Sequence, residues 1–211
     1  LNLETNGSQL IFSIADIANH ASSKYPKESY HYFTHCLFSP TGKRFAFYHR
    51  WVGNKNQTWT RLFTCNLDGS DIFKFDFSGV VTHLAWRDNK HLLAYGYKKS
   101  IGDHYYLLED KTNNFSIIGK NIFMSDGHPQ FAPDQINLIT DTYPDRLRRQ
   151  YLIRYNINSK KHDDLVILRS PRSFTGDVRC DLHPRWDRTG ESVAFDSSHT
   201  GKRALCTIRL P

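Results

Sequence analysis

No apolar stretch in this 211-residue chain approaches the roughly 20 residues needed to cross a bilayer, so no helical membrane span and no membrane partner is expected. Cysteine is sparse, with Cys36, Cys65, Cys180 and Cys206 and no CxxC pair. That leaves a zinc ribbon or a disulfide framework without support and points to a reducing, cytoplasmic setting. Helical periodicity is missing after about residue 30. Long Lys/Arg blocks are missing too. The 28 basic and 21 acidic residues give a net charge of +7, and the densest basic cluster is only Arg146, Arg148 and Arg149. A basic balance suits an anionic partner. No nucleic-acid-binding motif accompanies it, so nucleic acid is not the expected one. With 39% hydrophobic, 14% aromatic and 23% charged residues, disorder, collagen and coiled coil are excluded. The first residue is Leu1 rather than Met, which suggests a piece of a larger protein.

What the chain does contain is a repeat. Thr34-His35-Cys36-Leu37-Phe38, Thr82-His83-Leu84-Ala85-Trp86, Gly127-His128-Pro129-Gln130-Phe131 and Leu182-His183-Pro184-Arg185-Trp186 all read x-His-x-x-aromatic and run into a turn. The histidines are spaced by 48, 45 and 55 residues. Apolar strands follow each start, at 44–49, 91–97, 136–141 and 192–196. Third strands are expected at 61–67, 105–109, 150–156 and 204–210, and fourth strands at 72–77, 115–118 and 164–168. A four-stranded unit repeating every 40–55 residues is the signature of a β-propeller blade. The fold is therefore read as all-β, a propeller of about four antiparallel blades over 31–79, 80–120, 121–170 and 171–211, the last with three strands. Residues 1–30 read as the end of a preceding blade plus a connector, with a third-strand end at 1–5, a fourth strand at 9–14 and a helical turn near 14–20. This count suits the C-terminal part of a seven-bladed ring. A compact four-bladed ring is the other possibility.

The first strand of a propeller blade lines the central channel, so His35, His83, His128 and His183 are expected to face one axis. Converging imidazoles near neutral pH serve as metal ligands or as acid and base groups. Asp126 and Asp181 sit two residues before His128 and His183, on the same strand face. Nitrogen and oxygen ligands without sulfur would suit manganese, zinc, iron or nickel. Arg61 opens a third strand, Arg203 holds the matching place in the last blade, and Arg149 or Gln150 does so in the third. An arginine there can grip a carboxylate with its two-pronged guanidinium or make an interblade salt bridge.

Thr60-Arg61-Leu62-Phe63, Leu67-Asp68-Gly69-Ser70 and Thr82-His83-x-x-Trp86 resemble the oligogalacturonate lyases, polysaccharide lyase family 22. Asp181-Leu182-His183-Pro184, followed by Phe195-Asp196-Ser197 and Gly201, resembles that family's last blade. The resemblance runs from about Phe33 to Leu210, and its strand and turn residues are shared with TolB-like propeller repeats. It implies a seven-bladed propeller that cleaves short acidic (uronide) saccharides by β-elimination with a divalent metal, usually manganese. His83 would be the base and Arg61 its partner. His128, His183 and Asp181 would bind the metal. The chain carries Asp181 and Val178 where the family has a histidine and a glutamine as ligands. Substrate binding is assigned to His35, Arg50, Tyr143, Arg146 and Arg149, with the 146–149 stretch at the channel mouth. The alternative function is a non-catalytic TolB-like propeller that binds a protein or saccharide at its channel.

Overall fold

A computed structural model describes residues 4–20, 29–53 and 57–210. Among the described residues, a short helix, α1 (Ile14–His20), precedes fifteen strands. The first blade contains β1 (Tyr30–Phe38), β2 (Arg44–Val52), β3 (Thr58–Asn66) and β4 (Phe73–Lys74). The second contains β5 (Val81–Trp86), β6 (His91–Lys98), β7 (Gly102–Glu109) and β8 (Phe115–Ile118). The third contains β9 (Gln130–Phe131), β10 (Asn137–Asp141), β11 (Arg149–Asn156) and β12 (His162–Arg169). The last contains β13 (Arg185–Trp186), β14 (Ser192–Ser197) and β15 (Ala204–Arg209). Each sheet is a simple antiparallel meander in chain order, giving a four-bladed β-propeller.

The core lies between the blades. Ala46, Tyr48 and Leu62 of the first blade pack on Leu92, Ala94 and Tyr106 of the second. Leu93, Tyr105 and Leu107 of the second pack on Leu138, Ile153 and Tyr155 of the third. Ile139 and Leu152 of the third pack on Leu182, Val193 and Phe195 of the last. A two-faced sheet explains the near-continuous apolar middle strands, such as Arg44–Val52, whose first six residues are all buried. The aromatic that ends each repeat motif joins blades by hydrogen bonding as well as by packing. Trp86 Nε1 donates to the Leu37 carbonyl at 3.0 Å, and Trp186 Nε1 to the Gln130 carbonyl at 3.2 Å. Both acceptors stand two residues after the repeat histidine of the preceding blade.

The start of the chain differs from the sequence expectation. No strand forms over 9–14, and Glu4 and Thr5 form a turn, while 1–3 lie outside the described residues. The physical reason is a helix cap. Ser13 Oγ accepts from the Asp16 backbone N–H at 3.2 Å, and the Asp16 carboxylate accepts from the Ser13 N–H at 2.7 Å, a reciprocal capping box that starts α1. Phe12 and the fully buried Ile17 then cover Phe45, Phe47 and Phe63 on the open face of the first blade. The helical turn expected near 14–20 is α1 itself. The fourth strand expected over 72–77 shortens to Phe73–Lys74. All four cysteines are free thiols.

Candidate functional site

The repeat histidines are placed by a repeated backbone irregularity. The β1–β2 register slips between Thr34 and Leu37, and the β5–β6 register slips between Thr82 and Leu84. Within these bulges His35 and His83 adopt left-handed backbone, at φ 57° and 41°. His183, just before β13, has φ 41°. Left-handed backbone at a non-glycine residue costs energy and is held only where the surroundings impose it. A bulge re-aims its side chain, and here it turns the imidazoles toward the channel. His128 reaches the same place after Gly127, whose backbone passes so close to Asp141 that an added Cβ would lie 1.9 Å from the Asp141 carbonyl oxygen.

All four histidines line one cleft of about 700 Å³. The rings of His83 and His128 lie 4.4 Å apart by centroid, and those of His128 and His183 lie 3.7 Å apart. Carboxylates behind the rings fix their orientation. His83 Nδ1 lies 3.0 Å from Asp126 Oδ2, which also accepts from Thr82 Oγ1 at 2.9 Å. This arrangement leaves His83 Nε2 toward Tyr143, whose hydroxyl is 3.5 Å away. Asp141 accepts from the His128 backbone N–H at 2.7 Å and the His183 backbone N–H at 3.0 Å, and its Oδ1 lies 2.9 Å from His128 Nδ1.

The electrostatics follow from this packing. Burial and the neighbouring charges of Asp126 and Asp181 push the Tyr143 hydroxyl up to about 12, so it stays protonated at neutral pH. Burial opposes the Asp126 charge, but hydrogen bonds from His83 and Thr82 win and hold its carboxyl below the usual range. Partial burial and the adjacent His128 lower the pKa of His183. Partial burial, Arg50, His83 and His128 do the same for His35. The two outer imidazoles therefore favour the neutral form.

The residues singled out in the sequence divide. His35, His83, His128, His183, Tyr143 and Asp181 line the cleft. Arg61 is elsewhere on the first blade. It pairs with His49 across β2 and β3 and lies over the Trp51 ring at 4.6 Å. The reason is strand register: residues opening β3 face the His31, His49 and Trp51 stack, not the bulge that carries His35. Arg50 lies over the Tyr48 ring at 5.3 Å. Arg146 is exposed, and Arg149 is held by Asp145 at 2.8 Å in the 145–149 turn. Neither lines the cleft. Arg203 bonds the carbonyls of Val178 and Arg179 at 2.7 and 2.9 Å, and Gln150 bonds the Cys180 carbonyl at 3.1 Å, so both hold the loop before β13.

Two functional candidates escaped the sequence. Asp141 ends a second strand and shows itself only through the repeat, because Tyr48, Tyr95, Asp141 and Asp196 occupy the same register position in the four blades. Arg179 lies in an irregular loop, where no periodicity reports on it. Its Nε donates to both oxygens of Asp181, at 2.8 and 3.0 Å.

That ion pair bears on the expected metal. Asp181 faces Arg179, Val178 offers no donor, and Asp141 and Asp126 each engage an imidazole from behind. Two adjacent imidazoles remain. Among the described residues, no group of three or more His, Cys, Asp or Glu side chains is placed to hold a metal ion. The donor set does not fit a divalent metal held by His128, His183 and Asp181.

No protein-family profile matches the chain, and no curated protein matches it. Among solved structures it is similar to an oligogalacturonate lyase in complex with manganese, at 20% identity over 85% of this chain and 49% of that one, with a TM-score of 0.64. It is also similar to TolB from Acinetobacter baumannii, at 9% identity over 85% of this chain and 52% of that one, with a TM-score of 0.56. The β-propeller domain of the Trilobed protease from Pyrococcus furiosus matches at 11% identity over 84% of this chain and 55% of that one, with a TM-score of 0.54. The chain spans about half the length of these structures. Likeness at such identities shows the β-propeller fold they share. No helix among the described residues is long and apolar enough to cross a membrane.

Proposed function

We propose that the cleft binds a short acidic saccharide and cleaves it by β-elimination, as a lyase of the oligogalacturonate type. The observation that carries this reading is the Asp126–His83–Tyr143 line, with a carboxylate 3.0 Å behind the imidazole and a phenol 3.5 Å in front of it. Asp126 keeps the Nδ1 proton of His83, so Nε2 presents its lone pair to the cleft and can take the proton alpha to a uronide carboxylate. The electron pair of that C–H bond becomes the C4–C5 double bond as the bond from C4 to the glycosidic oxygen breaks. The departing oxygen needs a proton, and Tyr143 is still protonated at neutral pH and lies beside the base. Carbanion charge next to a carboxylate must be stabilised. The lining arginines, Arg179 and Arg185, suit that charge. Because the donor set does not fit a divalent metal, no step is assigned to one.

The test uses galacturonate oligomers and the ultraviolet absorbance of the unsaturated product. His83→Asn is the informative variant, because asparagine tolerates left-handed backbone better than alanine does. Activity should fall by roughly 10²–10⁴-fold with folding retained. Absence of unsaturated product from the wild type, with or without manganese, rejects the lyase reading in favour of a non-catalytic channel.

A further inference from the structure

We propose that Arg179 is the carboxylate anchor of the cleft, and that its guanidinium supplies the fixed positive charge there, so that an acidic saccharide binds without a divalent cation. This rests on the reading of the cleft as a site for acidic saccharides.

The guanidinium is half engaged and half available. Nε is committed to Asp181, at 2.8 and 3.0 Å from its two oxygens. No described residue takes a hydrogen bond from the two Nη atoms, and 45% of the side chain is exposed. Two parallel N–H donors are the geometry that carboxylates accept in bidentate fashion. The fork is also in the right place. Its Cζ lies 4.6 Å from the centroid of the Tyr143 ring, and that ring lies 6.3 Å from His83 and 5.8 Å from His128. The fork and the proposed base therefore flank the same tyrosine ring.

Arg185 also lines the cleft, but its own Nη2 is engaged by Asp196 at 3.0 Å.

The arginine is held on a built support. Asp181 is 8% exposed. Arg203 bonds the carbonyls of Val178 and Arg179, and the buried Gln150 bonds that of Cys180. The loop on both sides of Arg179 is thus fixed by Gln150 of β11 and by Arg203 just before β15. A preorganised charge stabilises an anion without reorganising when the ligand arrives. Of the charged residues that line the cleft, Arg179 and Arg185 are basic and Asp181 alone is acidic. The carboxylates of Asp126 and Asp141 lie behind their imidazoles and outside the lining.

The decisive measurement is calorimetric binding of trigalacturonate and of neutral galactotriose to full-length protein, with a chelator and then with added manganese. The wild type should bind trigalacturonate in chelator and bind galactotriose far more weakly. Arg179→Met should weaken trigalacturonate binding about 10–150-fold, the loss expected of one hydrogen-bonded charge pair. Arg179→Lys should fall between, because it keeps charge and loses the fork. Arg179→Gln combined with Asp181→Asn removes both charges together and guards against misfolding from an unpaired buried carboxylate. It should lose the preference for the acidic sugar. Unchanged trigalacturonate binding in these variants, or wild-type binding only with manganese, overturns the anchor and leaves the lyase reading standing. Tight, Arg179-dependent binding without unsaturated product supports the anchor and removes the lyase reading. Binding of neither sugar removes both.

Discussion

At the residue scale, a buried imidazole contributes to how the protein responds to acid. His49 is fully buried, and burial, then His31 and Arg61, push its pKa down to about 4. Its folded value lies below the unfolded value near 6.5, so the unfolded chain takes the proton first. This group leaves stability unchanged above about pH 6.5 and removes stability as the pH falls from there toward 4. His49→Phe keeps a ring in the stack with Trp51 and removes the titration. Denaturant melts at pH 7, 5.5 and 4.5 should show a shallower loss in the variant than in the wild type. Asp126→Asn probes the active line in a different way. It weakens the hydrogen bond that fixes the His83 tautomer, and turnover in the proposed elimination should fall at least 10-fold with little change in melting temperature. His83 and its motif were legible in the sequence because the motif repeats. Its partner was not. Asp126 stands beside His128 in sequence, but its carboxylate crosses to the preceding blade and meets His83.

At the scale of elements, the segment 126–128 is the critical piece, since it carries Asp126 and His128 on almost no regular structure. Tyr105 of β7 clamps it. The phenol donates to the Gly127 carbonyl at 3.0 Å and accepts from the Gly127 N–H at 2.7 Å. Tyr105→Phe leaves both buried backbone groups unpaired and should cost about 2–4 kcal/mol in chemical denaturation. It should also lower the proposed lyase activity by loosening both cleft residues. Gly127→Ala should be worse, because its new methyl group meets the Asp141 backbone and cannot be accommodated by rotating a side chain. The sequence marked the strands of each blade through their apolar runs. It overcounted where apolar residues serve another element. The strand expected over 9–14 does not form, because the Ser13–Asp16 cap starts the helix expected near 14–20, and Phe12 and Ile17 seal the first blade.

At the scale of the molecule, stability depends on the joints between blades. The joint between the first two is polar as well as apolar. Arg44 of β2 is 9% exposed, and its Nε donates to Asp110 of the second blade at 2.6 Å. Its Nη1 reaches Asn66 at 2.7 Å and Asp71 at 2.9 Å. Arg44→Met breaks this network and strands the 4%-exposed Asp110 carboxylate. The expected loss is about 3–5 kcal/mol in denaturant unfolding. A double change with Asp110→Leu should recover much of it, because an apolar pair replaces a half-broken charged one. The tryptophans that end two of the repeat motifs act at the same joints, which gives half of the x-His-x-x-aromatic pattern a purely structural cause.

The sequence by itself determined the propeller and the gathering of four histidines on one cleft. Each is a local pattern that repeats, and repetition makes equivalent positions face one axis. The tertiary structure decided which groups complete the cleft. The Asp126 carboxylate crosses from one blade to orient an imidazole of the blade before it, Arg61 turns to Trp51 instead of the channel, and Arg179 enters from a loop without periodicity. Contacts between blades join residues far apart in the chain, and no local pattern encodes which side chain crosses the gap.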